Sequence, residues 1–318
     1  GYNYIPIHSE QSNDTETPVT IFTKLTEGKE RFLLESVERG KQIGRYSFIG
    51  WQPLLTLKAS GHNLTVIENG TSVTISGEPL TEVEKKLGSL RVAPIPEISH
   101  FYGGAVGYIG YDYVRQLEKL PSQAQPLTDL PDLYFVVPQY LVCFDHLTLK
   151  ITSIFLARVD PTDIDGSYAK AVGELVRINH GFAQNHQLPP IPNAVKTEKN
   201  TTQITTLEQS KFMGLVGRIQ ANIRSGEVEQ VVLSQSIIQE YPGDPFFFYR
   251  VLRLVNPSPY LFYLDFDSHQ LAGSSPEMMV RLEDGLVTLK PIGGTKPRGH
   301  STTEDEQLCR DLLADEKE

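Results

Sequence analysis

The segment from Pro291 to Gly299 has the composition of a ligand-binding turn. It reads Pro-Ile-Gly-Gly-Thr-Lys-Pro-Arg-Gly and lies between a predicted strand and a predicted polar helix that begins near Ser301 or Thr302. Glycine lets a backbone approach a ligand closely, and exposed amides together with Lys296 and Arg298 favour an anion. The segment therefore predicts an anion-binding turn. The alternative is a solvated loop with glycine turns.

Glu277 is a second candidate, because it follows the end of an apolar strand in the segment Ser275-Pro276-Glu277. A carboxylate beside an anion site is an unusual choice unless it coordinates a metal ion or transfers protons. The alternative is a surface glutamate in a turn after proline. The residues alone leave both interpretations open.

The composition of the chain limits its partners. A net charge of −10 over 318 residues disfavours nucleic acid, since phosphate binding needs clustered Lys and Arg. No apolar run approaches the length of a membrane span, and we expect no secretory leader. Cys143 and Cys309 are typical of reduced thiols. We expect a cytoplasmic protein with neither nucleic acid nor membrane as partner.

The first half of the sequence is predicted to form mainly β-strands. Strands are predicted at 32–36, 46–49, 54–58, 64–67, 72–75, 133–142 and 149–155, and helices at 80–90 and 166–179. Asn69-Gly70 predicts a tight hairpin. The glycine-rich segment 103–111 matches no phosphate-loop spacing. We interpret it as close backbone packing in a sheet.

The second half begins with a predicted helix. Thr205 and Glu208 fit a capping box, and Gly226 fits a C-terminal cap. Strands are predicted at 228–238, 260–265, 278–282 and 286–289, and another helix at 246–254. Long strands with separated helices favour an α+β fold.

A proline-rich stretch divides the sequence into two parts. Residues 187–200 are polar and lack periodicity, which predicts a linker. The expected organisation is an N-terminal region at 1–186, the linker at 187–200, and a catalytic region at 201–318.

Several motifs in collinear order resemble those of the chorismate-utilising enzymes, and among these the anthranilate synthase large subunits. The motifs are Leu33-Leu34-Glu35-Ser36, Gly44 to Gly50, Gly103 to Tyr111, Gln230 to Gln235, Asn256 to Tyr260, Ser275-Pro276-Glu277, Pro291 to Gly299 and Leu312 to Glu318. The resemblance covers nearly the whole chain. It implies an α+β fold of two packed antiparallel β-sheets flanked by helices, incomplete at the C-terminus.

The resemblance also implies a reaction and its participants. Chorismate and ammonia would give anthranilate and pyruvate with Mg²⁺ as cofactor, and L-tryptophan would inhibit. The ammonia would come from glutamine on a separate amidotransferase subunit. Neither cysteine lies in the tight glycine-rich turn that an amidotransferase nucleophile needs.

Five residues carry the implied catalytic and substrate-binding roles. Gly294 and Thr295 would bind chorismate through backbone amides, and Glu277 would lie near the departing hydroxyl or the metal. Gln230 stands where water-activating members of the family carry lysine. Glutamine cannot activate water, so it suits ammonia as the nucleophile. Glu318 matches the first glutamate of a Lys-Glu-x-x-Glu-His motif, so the principal Mg²⁺ ligands are expected beyond residue 318 and the chain should lack part of its active site.

Two segments resemble the halves of a tryptophan feedback site. Glu35 and Ser36 lie in the first, and Pro259, Tyr260 and Leu261 lie in the second. Glu35 would bind the amino group, and the apolar residues would line a slot for the indole. The alternative is that both segments are structural.

Two other functions remain open. Aminodeoxychorismate synthase of folate biosynthesis uses the same substrate and nitrogen source. A non-catalytic tryptophan-binding homologue would keep the fold without the chemistry.

Overall fold

The computed structural model describes residues 1–36, 44–98, 101–121, 127–184, 188–191, 203–291 and 294–315. The chain divides into two compact units. The first contains Gly1–Pro189 and Phe248–Glu318, and the second contains Pro190–Phe247. The expected linker at 187–200 lies mostly outside the described residues and stays a prediction, as do the expected regions on either side of it.

The described strands follow one another in this order. They are β1 (Tyr4–Ser12), β2 (Arg31–Glu35), β3 (Tyr46–Ser60), β4 (Asn63–Glu68), β5 (Thr71–Ser76), β6 (Val106–Ile109), β7 (Leu133–Asp145), β8 (Lys150–Arg158), β9 (Gln203–Thr205), β10 (Ile237–Gln239), β11 (Tyr260–Asp265), β12 (Gln270–Ser275), β13 (Arg281–Glu283) and β14 (Leu286–Thr288).

The described α-helices lie between these strands. They are α1 (Pro18–Leu25), α2 (Pro79–Ser89), α3 (Val114–Leu117), α4 (Ile164–Phe182), α5 (Gln209–Arg224), α6 (Pro245–Val255) and α7 (Thr302–Leu313). None of them is long and apolar enough to cross a membrane.

A ten-stranded antiparallel sheet dominates the part of the chain that the structure describes. Its main order is β1-β8-β7-β3-β2-β11-β12, with β4 and β5 extending from β3 and β6 pairing with β7. Two-stranded sheets are formed by β9 with β10 and by β13 with β14. The predicted α+β class is confirmed.

The large sheet joins a strand from the first half of the chain to strands from the second half. Strand β2 lies between β3 and β11, and its register with β11 places Glu35 opposite Leu261. Consecutive residues Phe32 and Leu33 are both buried, so β2 is covered on both faces. One face carries a cluster in which Phe32 and Tyr134 share a core with Phe266.

Local sequence signals explain several elements. The predicted hairpin at Asn69-Gly70 joins β4 and β5, and both turn residues have positive φ, as a type I′ turn requires. Helix α1, which the pattern analysis missed, begins with Thr17 as N-cap and Pro18 in its first turn.

The glycine-rich segment 103–111 packs closely against a neighbouring strand at Gly107. Strand β6 pairs with β7 there, and a Cβ at Gly107 would collide with the Tyr134 carbonyl oxygen. Only glycine fits this approach of two backbones.

Three local predictions in the second half were wrong. The predicted strand 228–238 is reduced to β10, because only its last residues find a partner strand in β9. The predicted strand 278–282 begins later, as β13. Thr205 does not cap a helix, since it is the last residue of β9 and pairs with Ile237 of β10. Helix α5 instead has Glu208 as its N-cap, without a side-chain hydrogen bond.

Candidate functional site

Glu35 ends strand β2 in the interior of the first unit. Its side chain is 2% exposed. Residues directly opposite each other in an antiparallel pair share one face of the sheet, so Glu35 and Leu261 lie on the same face. The structure thereby brings together the two segments that resemble a tryptophan site.

Two residues of α6 hold the Glu35 carboxylate. The Tyr249 hydroxyl donates to Oε2 at 2.7 Å, and Arg253 Nη2 donates to Oε1 at 3.0 Å. The two donors are four residues apart, so they lie on the same face of the helix. Burial, reinforced by the Glu35 carboxylate, raises the pKa of Tyr249, so its hydroxyl stays protonated and donates.

Tyr249 and Arg253 were not predicted as site residues from the sequence. The available signal was the i, i+4 spacing of a tyrosine and an arginine on a mostly apolar helix. Nothing local connects that spacing to Glu35, which lies 214 residues away from Tyr249.

His146 interacts electrostatically with the same carboxylate and is hydrogen-bonded to a serine. The Ser47 hydroxyl and His146 Nε2 are 2.7 Å apart. Burial lowers the pKa of His146, although Glu35 and Asp145 oppose that effect. The imidazole is therefore held in its neutral form more strongly than in water.

The second tryptophan-site segment is pinned to strand β12. Ser258 Oγ donates to the Ser275 carbonyl oxygen at 2.8 Å, and Ser274 Oγ donates to the Asn256 carbonyl oxygen at 2.6 Å. This pinning holds the chain between α6 and β11 against the strand that leads to Glu277.

The three apolar residues of that segment do not share one surface. Leu261 is 1% exposed, whereas Tyr260 is 43% exposed. Side chains of neighbouring strand residues point to opposite faces. Leu261 therefore shares the face of Glu35, and Tyr260 faces the other way, with the half-buried Pro259 preceding both.

Ser36 is packed against Gly44 at the end of β2. A Cβ added to Gly44 would overlap the Ser36 side chain. The space around Ser36 is thus closely filled on one side, and a larger residue there must displace its surroundings.

Glu277 follows strand β12 and is exposed. Ser275 Oγ bonds to both ends of the turn, since it donates to the Glu277 carbonyl oxygen at 3.1 Å and accepts from the Glu277 amide at 3.4 Å. Ser275 also pairs with Tyr260. Glu277 and the second segment of the predicted tryptophan site therefore lie at the same end of the β11–β12 pair.

The predicted anion-binding turn leads into α7, which is capped by Ser301. Arg298 Nη2 donates to Asp305 at 2.6 Å, and the Gly299 amide donates to the same carboxylate at 2.9 Å. The His300 amide donates to Glu304 at 2.7 Å. Acidic side chains of α7 thus accept the hydrogen bonds from the end of the turn that is nearer the helix.

The donors at the beginning of the turn, farther from α7, are not used in this way. Among the described residues, the amides of Gly294 and Thr295 and the Lys296 ammonium have no hydrogen-bond partner. Gly294 is half-buried and Thr295 is exposed. These donors are the part of the turn that can take an anion.

Gln230 belongs to the second unit, whereas Glu277, Gly294 and Thr295 belong to the first. Gln230 is exposed and lies outside any strand. Glu318 lies outside the described residues, so its predicted role stays a prediction.

The described residues do not assemble a metal site. No group of three or more His, Cys, Asp or Glu side chains among them could hold a metal ion. We therefore assign no Mg²⁺ ligand within 1–36, 44–98, 101–121, 127–184, 188–191, 203–291 or 294–315.

A cavity of about 450 Å³ lies elsewhere in the first unit, beside β8 and the start of α4. Gln139, Arg158 and Lys170 are among the residues that line it. None of the residues predicted to bind chorismate or tryptophan lines this cavity.

Comparison with known proteins identifies the family. Residues 29–318 match the chorismate binding enzyme family. Anthranilate synthase component 1 of Acetivibrio thermocellus is 39% identical over 323 residues, which cover 100% of this chain and 65% of that protein. Its counterpart from Synechocystis sp. is 38% identical over 335 residues, covering 99% of this chain and 65% of that protein. The chain thus spans about 65% of the length of these relatives.

Solved structures agree with this result. The crystal structure of anthranilate synthase component I from Streptococcus pneumoniae TIGR4 matches with a TM-score of 0.65 and 28% identity, covering 95% of this chain and 63% of that chain. The menaquinone-specific isochorismate synthase from Escherichia coli shares the fold, with a TM-score of 0.56 and 13% identity over 99% of this chain and 60% of that chain. The chain belongs to the chorismate binding enzyme family.

Proposed function

We propose that this chain is part of an anthranilate synthase large subunit, which converts chorismate and ammonia into anthranilate and pyruvate. The observation that carries the proposal is the similarity along the whole chain to proteins of that name, at 39% identity for the relative from Acetivibrio thermocellus. Gln230 supports it, since glutamine cannot activate water and the nucleophile must arrive ready to react.

The first unit supplies groups suited to the substrate. Chorismate is a dianion, and the amides of Gly294 and Thr295 and the Lys296 ammonium, which have no partner among the described residues, can donate hydrogen bonds to one of its carboxylates. Glu277 would act at the departing hydroxyl, where a carboxyl group can supply a proton. Mg²⁺ would supply positive charge at the ring carboxylate.

The proposed enzyme draws on a partner. Ammonia would come from glutamine on a separate amidotransferase subunit. Cys143 is buried and Cys309 is exposed, and both are free thiols. Burial also raises the pKa of Cys143, which makes it a poor nucleophile. Free thiols suit the cytoplasm, where we expect the enzyme to act.

A product assay tests the reaction. The complete gene product that contains this chain is incubated with chorismate, an ammonium salt and Mg²⁺ at raised pH, without a partner subunit. We expect anthranilate and pyruvate in equal amounts. Isochorismate, salicylate or aminodeoxychorismate as the main product would overturn the assignment.

We also propose that tryptophan inhibits the enzyme by binding at the junction of β2 and β11. The support is the register that places Glu35 opposite Leu261, which joins the two predicted segments on one face. A ligand at this junction contacts parts of the chain far apart in sequence. It can therefore shift their relative arrangement only through different affinities for two states.

The variant Ser36→Phe tests the feedback site. Because Ser36 is already packed against Gly44, a phenylalanine should fill the space beside Glu35 and exclude the ligand. We expect loss of inhibition by tryptophan with an uninhibited rate within about threefold of the parent, measured beside Ser36→Ala as the small-residue control. Inhibition of the phenylalanine variant as strong as that of the parent would place the site elsewhere.

A further inference from the structure

We propose that the cavity beside β8 and the start of α4 binds a small organic anion, whose carboxylate is held by Arg158 and Lys170 and whose apolar body contacts the walls. No residue predicted to bind chorismate or tryptophan lines this cavity. The inference therefore goes beyond the proposed reaction and does not depend on it.

A proline accounts for the position of the cavity in the large sheet. The pairing of β7 with β8 ends at Tyr140 and Phe155, although β8 continues to Arg158 beside β1. Pro138, two residues before Tyr140, has no amide with which to extend the ladder. The cavity lies beside this point, with Gln139 in its wall, and its volume of about 450 Å³ is that of a small-molecule site.

Two cations border the cavity without a direct partner. Neither Arg158 nor Lys170 forms a salt bridge or a side-chain hydrogen bond with any residue that the structure describes. The half-buried Gln139 side chain likewise has no hydrogen-bond partner within that part of the chain. An arginine edge fits both oxygens of a carboxylate, a lysine adds a point charge, and an amide can donate beside them.

Two carboxylates that act on these cations through space are bonded to other groups. Asp160, in the cavity wall, accepts from the Thr162 amide at 2.9 Å and from the Thr162 hydroxyl at 2.7 Å. Glu174, on α4, accepts from Arg177 at 2.8 Å. The wall thus holds two cations and one carboxylate that is already engaged, and this excess of positive charge favours an anion.

The remaining residues of the wall are mostly apolar. Phe155 and Ala157 are buried residues of β8, and Val159 and Pro161 follow them in the chain. The Ser167 hydroxyl, also in the wall, already accepts one hydrogen bond and donates another within the segment that joins β8 to α4. Apolar walls with a few polar groups at one place suit an organic carboxylate better than an inorganic anion.

A titration with four probes tests the ligand class. Ligand-observed NMR measures the binding of benzoate, neutral benzamide, cationic benzylamine and inorganic phosphate to the complete gene product. We expect benzoate to bind at least tenfold more tightly than each of the others, the size of a lost charge-assisted hydrogen bond. Benzamide binding as tight as that of benzoate would overturn the role of the cations. Phosphate binding as tight as that of benzoate would overturn the role of the apolar walls.

Charge-removing variants locate the binding. Arg158→Gln and Lys170→Gln should each weaken benzoate on the order of tenfold and leave benzamide unchanged. Lys85→Gln is the matched control, since it removes the same charge from α2, where that lysine is paired with Glu82. Lys296→Gln reports on the predicted anion-binding turn. Loss of benzoate binding in Lys296→Gln but not in Arg158→Gln would place the anion at that turn and overturn the inference.

A variant that fills the cavity separates a bound ligand from a general effect of charge. Val159→Phe adds volume to the wall without changing any charge. We expect it to weaken benzoate and benzamide alike, whereas the two glutamine variants weaken benzoate alone. Thermal melting verifies that each variant is folded. Benzoate binding that is unchanged in a folded Val159→Phe protein would overturn the inference, whether or not the enzyme forms anthranilate.

Discussion

Individual donors of the turn before α7 differ in whether a ligand can use them. Arg298 is taken by Asp305, while Lys296 and the amide of Thr295 have no partner among the residues that the structure describes. Both cations fit an anion site by type. Among the described residues, Lys296 is the cation that α7 leaves unpaired, so we expect Lys296 to assist the predicted amides of Gly294 and Thr295 in binding an anion.

Thr295→Pro tests that conclusion. Proline removes the amide donor, and losing one such donor costs on the order of 3 kcal/mol of transition-state stabilisation. We expect the rate of anthranilate formation by the complete gene product to fall at least a hundredfold with folding retained. The matched control is Thr302→Pro, which places proline in the first turn of α7, where it is tolerated. An unchanged rate for Thr295→Pro would show that the turn does not bind substrate.

His146 makes stability depend on pH. Its pKa is lowered in the folded state by burial, so the unfolded chain binds more protons as the pH falls below the unfolded value of about 6.5. The contribution is complete above that pH and is lost below it, down to the lowered pKa. We expect the Tm to drop more between about pH 7.5 and 5.5 in the parent than in His146→Gln. Parallel profiles would contradict the prediction.

At the scale of elements, strand β11 lies between β2, which carries half of the predicted tryptophan site, and β12, which leads to Glu277. It pairs with β2 on one side, where Leu261 meets Glu35, and with β12 on the other, where Tyr260 meets Ser275. A displacement of β11 would therefore also displace the turn that carries Glu277. This arrangement gives the proposed inhibition a physical route through hydrogen-bonded neighbours.

The contact between β6 and β7 offers a test of the glycine-rich segment. Gly107→Ala forces a methyl group against the Tyr134 carbonyl oxygen, and overpacking of this kind costs about 1–3 kcal/mol. Gly88→Ala is the control, since a Cβ at that position of α2 meets nothing within 4 Å and alanine favours a helix. We expect denaturant unfolding to show destabilisation for the first variant and none for the second. Equal stability of both would mean that β6 is not held closely.

At the scale of the whole molecule, the large sheet is assembled from strands that lie far apart in the sequence. Strands β11 and β12 complete the edge beside β2, and the Tyr263 ring packs against Phe22, with ring centroids 5.7 Å apart. The N-terminal region that the sequence predicts thus contributes to a core that residues after Phe248 also build.

A fragment of residues 1–186 tests this dependence. Without β11, the β2 edge loses its hydrogen bonds and the apolar surface over Leu33 is uncovered, which favours edge-to-edge association. We expect the fragment to aggregate or to melt well below the full chain, as judged by light scattering and thermal unfolding. A fragment that stays monomeric and melts at the same temperature would show that 1–186 is an independent domain.

Patterns within a short window predicted much of the fold. The α+β class and the Asn69-Gly70 hairpin follow from such patterns, because turn chemistry and periodicity act over a few residues. The prediction of a strand at 228–238 was wrong because strand formation also depends on a partner strand elsewhere in the chain. An apolar run becomes a strand only where another strand accepts its hydrogen bonds, and β9 pairs with just two of these residues, Ile237 and Ile238.

The family and the kinds of residue available for chemistry can be recognised without the fold, because motifs such as Ser275-Pro276-Glu277 are contiguous and keep their order in any conformation. Only the tertiary structure decided which of these groups meet. It placed Tyr249 and Arg253 on Glu35 and withdrew Arg298 into α7. Hydrogen bonds between distant segments depend on the register and packing of the whole sheet, which no local pattern records.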